Sequence, residues 1–166
     1  MPIEVSIRQA TPADVVVIAD IFNEAVRWLE RSGMPMWRGD ELTAPRIAAD
    51  VAAGLLFLAE CSGNPAGTLK FQLEDALFWP DLPQPDAAYV HRLIVRRQYA
   101  GGTVSSALLQ WAANRARSLG RRFLRLDCEA SRGRLRQVYE RFGFRHHSDR
   151  QVGPYFVSRY EYEIRL

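Results

Sequence analysis

The stretch Leu93–Leu109, LIVRRQYAGGTVSSALL, runs an apolar strand through a Gly-Gly loop directly into a segment with helical spacing. Such a junction suits an anion. The first turn of a helix leaves backbone N–H groups unpaired, the helix dipole places positive charge there, and small residues let a ligand come close. Ala100, Gly101, Gly102, Thr103, Val104, Ser105 and Ser106 are therefore candidates to hold a phosphate or diphosphate. A plain strand-to-helix turn with a Ser/Thr cap is the competing reading of the same residues.

The rest of the composition narrows the class. The chain has 166 residues, 48% hydrophobic and 25% charged, the balance of a soluble globular protein and a length suited to a single domain, 1–166. Its formal net charge of +3 comes from scattered arginines, among them Arg96-Arg97, Arg121-Arg122, Arg132, Arg134 and Arg136, and favours an anionic partner. No basic recognition helix or RNP-like aromatic motif is present, so nucleic acid is not expected. Apolar runs such as Leu55–Ala59 are far below the roughly 20 residues that span a bilayer, and Met1–Arg8 lacks the pattern of a signal peptide. No membrane partner and a cytoplasmic location are expected. Cys61 and Cys128, the two cysteines, fall in apolar strand-like segments, which argues for reduced core thiols and no metal.

Periodicity supplies the elements that position the loop. Val5–Gln9 alternates as a strand. Thr11 reads as an N-cap with Pro12 at the first helical position and Asp14 three residues after the cap, and Val15, Ile18, Phe22, Val26 and Leu29 follow at helical spacing to a stop near Gly33. A second helix is expected from Ala44 to Ala53, then a buried strand Leu55–Cys61, a turn at Asn64-Pro65, a strand Ala66–Leu73 and a loop Phe78–Asp86. Ala87–Val95 is the next strand. The helix after the junction runs through Ser118 with Val104, Ala107, Leu108, Trp111 and Leu119 on its apolar face and Gly120 as its cap. Phe123–Cys128 is a strand, Arg134–Phe142 a helix, and Phe144–His147 with Phe156–Ile164 the closing strands.

The strand–loop–helix junction, this β-α-α-β-β-β-α-β-α-β-β order and the segment VYERFGFR at Val138–Arg145 together resemble the GNAT superfamily of acetyl-CoA-dependent N-acetyltransferases over nearly the whole chain. The resemblance implies an α/β fold with a mixed, mostly antiparallel twisted sheet of six to seven strands, about four flanking helices and a splayed central strand pair. It implies acetyl-CoA as cosubstrate, no metal, a small-molecule or peptide amine as acceptor, and allows a homodimer. The family's pyrophosphate loop reads R/Q-x-x-G-x-G/A. Ala100 stands at its Arg or Gln position, and Thr103 and Ser105 at its two small positions, so a β-branched residue falls where glycine eases close approach. A catalytically silent CoA sensor or a non-enzymatic interaction domain is the alternative that this altered loop leaves open.

Residue roles follow from the same resemblance. The backbone of Leu93, Ile94 and Val95 would bond pantetheine amides and the thioester carbonyl, with the Val95 amide supporting the oxyanion; one such donor is worth about 3–4 kcal/mol in acyl transfer. Tyr139 would protonate the departing thiolate, although its spacing from Leu135 and Phe142 also suits core packing. Arg132 stands where the family often has an Asn touching the cofactor. An alkylammonium must lose a proton before attack, and His91, with the strand parity of Leu93 and Val95, is the candidate base, a structural His being the alternative. Glu74 lies nearby at the end of the preceding strand. Trp37, Phe78 and Trp79 are the aromatic candidates for the acceptor mouth or, equally, anchors for their loops; Asp40, Glu41 and Asp81 would attract a cationic amine.

Overall fold

The computed structural model describes residues 4–34 and 42–165. In chain order the elements are β1 (Val5–Gln9), α1 (Val15–Arg31), α2 (Ala44–Ala52), β2 (Leu56–Cys61), β3 (Asn64–Gln72), β4 (Ala87–Val95), α3 (Val104–Ser118), β5 (Phe123–Glu129), α4 (Gly133–Phe142), β6 (Arg145–Val152) and β7 (Tyr155–Glu163). The strands form one seven-stranded sheet in the order β1-β2-β3-β4-β5-β7-β6. β4 and β5 are parallel, and β1–β2, β2–β3, β5–β7 and β6–β7 antiparallel. This is the mixed, mostly antiparallel sheet with four helices that the sequence implies. Residues gather into two compact units, Met1–Lys70 with Arg92–Leu108, and Phe71–His91 with Leu109–Leu166.

In the first unit, helix α1 begins through side-chain chemistry. A 3-10 turn over Pro12–Asp14 precedes it. Oδ2 of Asp14 accepts hydrogen bonds from the backbone N–H (2.7 Å) and the hydroxyl (3.1 Å) of Thr11, while Arg8 grips both carboxylate oxygens at 2.7 and 2.9 Å. The Arg8 guanidinium, with Thr11, holds the Asp14 carboxyl well below the usual carboxylate range. Ile18, Ile21 and Phe22 of α1 then pack with Ile47 and Val51 of α2, Leu56 and Leu58 of β2, and Ile94 of β4. The β2–β3 turn differs from expectation. Asn64 and Pro65 already belong to β3, and the chain reverses at Ser62 (φ 51°) and Gly63 (φ 82°), because a two-residue hairpin link with both φ positive matches the twist of its strands.

In the second unit β5 pairs along its whole length with β7, which in turn pairs with β6. The described β4–β5 ladder is shorter, Ala87–Tyr89 against Phe123–Arg125, and stops before Val90 and His91. Leu109, Ala112, Ala113 and Ala116 of α3 are buried. Leu119, expected on that apolar face, is instead exposed because it lies past the last helical turn. Within β4, Arg92 has φ 52°, a left-handed residue inside a strand, as at a bulge. The two-residue alternation that links His91 with Leu93 and Val95 on paper is therefore interrupted at Arg92.

Candidate active site

The strand–loop–helix junction lies in the first unit. A 3-10 turn at Arg97–Tyr99 leads into the loop, Gly101 takes φ 77°, and the backbone carbonyl of Thr103 accepts the first bond of α3 from Ala107 at 2.9 Å. Thr103 is not left-handed, so its branched side chain meets no backbone penalty; Gly101 alone makes the turn. The amides of Ala100 and Gly102 donate to Arg97 and Tyr99 carbonyls at 3.1 and 3.3 Å. Among the described residues, no backbone acceptor faces the amides of Gly101, Thr103, Val104, Ser105 or Ser106. A diphosphate fits such a row of unpaired donors at a helix start. The neighbouring arginines are partly committed: Arg96 bonds the Pro65 carbonyl and pairs with Asp20 at 2.9 Å, and the Arg97 guanidinium lies 3.8 Å over the Trp28 ring.

Before the junction, Ile94 is buried, and Leu93 and Val95 are half-buried. Close packing sets this end of β4. A Cβ on Gly67 of β3 would stand 2.7 Å from the Ile94 carbonyl oxygen and 3.4 Å from Val104 and Leu108, so only glycine lets the strand and the helix start approach. Arg92, next along the strand, donates to Asp50 of α2 at 3.0 Å, and Lys70 meets the same carboxylate at 3.2 Å.

The second unit assembles titratable groups around His91. Nε2 of His91 lies 2.7 Å from Oδ2 of Asp75, and Oδ1 of Asp75 accepts from the Phe78 amide at 3.1 Å. Gln84 locks the segment, accepting from the Asp75 amide at 2.6 Å and donating to the Trp79 and Leu82 carbonyls. An ionised carboxylate only accepts, so a neutral His91 carries its proton on Nε2 and offers Nδ1 as the lone-pair nitrogen. The Phe78 ring, half-buried, stands 5.7 Å from the imidazole.

Asp127 of β5 completes the group, with one ligand-type atom each of Asp75, His91 and Asp127 lying within 4.8 Å of one another. Burial pushes the Asp127 carboxyl up to about 6, against a smaller opposing pull from His91. Its Oδ2 is sealed from solvent without a hydrogen-bond partner. The next residue, Cys128, is a buried thiol pushed up to about 12, first by burial and then by Asp127. Tyr139 of α4 is buried in the same surroundings, its hydroxyl raised far above its usual range by burial and by the nearby Cys128 and Asp127. It remains a proton donor at any physiological pH.

The other sequence candidates fall elsewhere. Trp79 is fully buried with Tyr89 and Ala87, with the guanidinium groups of Arg159 and Arg125 4.7 and 5.3 Å from its ring, and anchors its loop with no face toward solvent. Asp81, proposed to attract an amine, is bound at both carboxylate oxygens by Arg159. Glu74 is exposed; Arg132 pairs with Glu129 at 3.3 Å beside the start of α4. Trp37, Asp40 and Glu41 lie outside the described residues. Sequence reasoning missed Asp75 and Asp127. Asp75 follows a strand end, where an acid carries no distinctive signal, whereas Asp127 had a usable one, an acid between Leu126 and Cys128 inside an apolar strand.

The sequence profile described as the acetyltransferase (GNAT) family matches residues 22–144. The Bacillus subtilis (strain 168) protein YesJ, described as an uncharacterized N-acetyltransferase, is 26% identical over 137 residues, 79% of this chain and 76% of YesJ. A GNAT-family acetyltransferase from Listeria monocytogenes 4b F2365 shares the fold with a TM-score of 0.79 and 28% identity, over 96% of this chain and 95% of that one. The putative acetyltransferase yncA from Salmonella typhimurium, solved with its cofactor acetyl-CoA, gives a TM-score of 0.73 over 98% and 95% of the two chains at 18% identity, a likeness of fold alone. With its sheet order, its open helix start and a profile match covering most of its length, this chain belongs to the GNAT family and is an acyltransferase.

Proposed function

We propose that the protein moves the acetyl group of acetyl-CoA onto a primary amine of a small molecule or peptide by direct attack, without an acetylated enzyme. When bound, acetyl-CoA supplies the activated thioester. The amides at Gly101 and Thr103–Ser106 hold its diphosphate, and the backbone of Leu93–Val95 the pantetheine and thioester carbonyl, with the Val95 N–H opposing the charge that develops on oxygen. His91 takes the acceptor's proton on Nδ1 while Asp75 fixes the ring and steadies the imidazolium that results. Tyr139 returns a proton to the departing sulfur. The observation that carries this reading is the 2.7 Å His91–Asp75 pair, which gives a strand histidine the second group that a positioned base needs.

The acceptor is a diffusible amine rather than a nucleic acid or a membrane component, and the protein acts in the cytoplasm; among the described residues no helix is long and apolar enough to cross a membrane. A homodimer is compatible with this chemistry.

The test is thiol release from acetyl-CoA with a panel of primary amines, run beside a thermal shift. At a hundred times its dissociation constant, acetyl-CoA raises stability by about 2.7 kcal/mol, or about 5–10 °C in Tm for a chain of this size. A shift with no thiol release for any amine makes the protein a CoA sensor. No shift at millimolar acetyl-CoA makes it an interaction domain.

A further inference from the structure

Asp127 stands apart from the other buried acids. Asp14 is clasped by Arg8 and Thr11, and Asp75 by Phe78 and His91, whereas Oδ2 of Asp127 is sealed from water with no donor facing it. Buried carboxylate oxygens are normally satisfied, so an orphaned one calls for a donor beyond the chain's own groups, a water or a ligand. The nearby cations are already engaged. Arg159 donates to Asp81, the Phe78 carbonyl and Ser148, and Arg136 to Tyr160 and the Ala130 carbonyl. Asp127 and His91 are both only half-buried as residues, although Oδ2 itself is covered.

Resting on the acetyltransferase reading above, we propose that Asp127 is the anchor of the acceptor: its carboxylate receives the protonated primary amine of an aliphatic substrate beside His91, so the enzyme selects cationic alkylamines over neutral arylamines and alcohols. The spacing supports an ammonium. Two acceptors sharing one tetrahedral nitrogen at hydrogen-bond length stand about 4.5 Å apart, and the three ligand-type atoms here lie within 4.8 Å of one another. A divalent cation is the other occupant that two carboxylates and an imidazole can take, but it draws oxygen and nitrogen to about 2.0–2.2 Å and would have to break the His91–Asp75 hydrogen bond that an ammonium leaves intact.

The proton balance closes. The acceptor enters as R–NH3+ and gives one proton to the free ring nitrogen of His91; the resulting R–NH2 forms the N–C bond as the C–S bond breaks. The sulfur takes a proton from Tyr139, which recovers one from the acylated nitrogen, and the His91 proton leaves to solvent. The sum is R–NH3+ and thioester giving amide, thiol and one H+.

The site can be read without turnover. The chain has three histidines, so the Cε1–H signal of His91 is assigned by its loss in His91→Gln. Titrating the full chain with methylammonium chloride should shift that signal saturably, whereas tetramethylammonium, which has no N–H, and sodium chloride should not. Asp127→Asn, close in shape, should weaken the response at least tenfold, with Glu30→Gln on the exposed face of α1 as the control that leaves it unchanged. In assays, Asp127→Asn should raise KM for alkylamines at least tenfold with a smaller change in kcat and an unchanged acetyl-CoA thermal shift. An unsaturable response, one that Asp127→Asn retains, or a micromolar response to Zn2+ or Mn2+ with none to methylammonium, overturns the anchor. Because acetyl-CoA binding is scored separately, no ammonium response from the unsubstituted protein with a normal acetyl-CoA shift refutes the anchor alone, and an ammonium response with no acetyl-CoA shift refutes the acetyltransferase reading alone.

Discussion

The imidazole of His91 and the carboxylate of Asp75, sixteen residues apart in sequence, meet at 2.7 Å. The carboxylate is buried and the imidazole only half so. One partner is therefore fixed while the other still reaches solvent. Replacing His91 by Gln should lower kcat by about 10²-fold or more, the usual size of a general-base contribution. Asp75→Asn presents an N–H to Nε2 and turns the lone pair to the wrong nitrogen. It should cost a similar factor; turnover that both variants leave untouched assigns the pair to structure.

Tyr139→Phe removes only the hydroxyl. Because burial keeps that hydroxyl protonated, it serves as acid and not as base, and its loss should lower kcat by about 10–10²-fold while the acetyl-CoA thermal shift stays the same. Equal loss of turnover and of cosubstrate binding would instead make Tyr139 a packing residue, in keeping with its ring contacts to Phe144 and Tyr160 at 6.0 and 6.1 Å.

Gly67→Ala should hurt acetyl-CoA binding from a distance. Its Cβ would enter 2.7 Å from the Ile94 carbonyl, an atom of backbone that cannot swing aside, while meeting Val104 at the helix start in contact at 3.4 Å. Overpacking of this kind costs about 1–3 kcal/mol, read as a lower Tm. The acetyl-CoA shift should shrink as well, since the end of β4 that carries Ile94 must move.

Acid should act on two carboxylates in opposite senses. The Asp14 carboxyl is depressed in the folded state, so its contribution is present above its unfolded value of 3.8 and is lost as pH falls below it; Asp14→Asn should cost about 1–2 kcal/mol at pH 7, given an Arg8 partner that is partly exposed, and nothing at low pH. Asp127 is raised from 3.8 to about 6, so the folded state binds more protons between those values and loses stability as pH rises through them. Asp127→Asn should therefore raise Tm at pH 7.5 and change it little at pH 4, as differential scanning calorimetry would show.

The order of elements was legible because periodicity and caps are local properties. Thr11, Pro12 and Asp14 announce α1, and Ala87–Val95 is a strand with the same ends on paper and in space. The hairpin at Ser62–Gly63 was misplaced because Asn64-Pro65 carries the stronger turn composition, while the backbone needed two left-handed residues one step earlier. His91 could be nominated from its strand but not paired, since Asp75 reaches it across a loop whose shape depends on Gln84 and buried arginines. Strand parity past His91 failed for a different reason: no composition rule places a left-handed Arg in the middle of a strand.

The packing of Trp79 has a consequence for redesign. Arg159, with a side chain only 3% exposed, is satisfied largely by the loop itself, through Asp81 and the Phe78 carbonyl, whereas the equally buried Arg125 keeps its ion pair with Glu161 outside the loop; both face the indole. Grafting a foreign loop over residues 78–85 would strand the Arg159 guanidinium in the interior without its carboxylate, so new acceptor preferences must be engineered by point changes on an intact segment rather than by exchanging it.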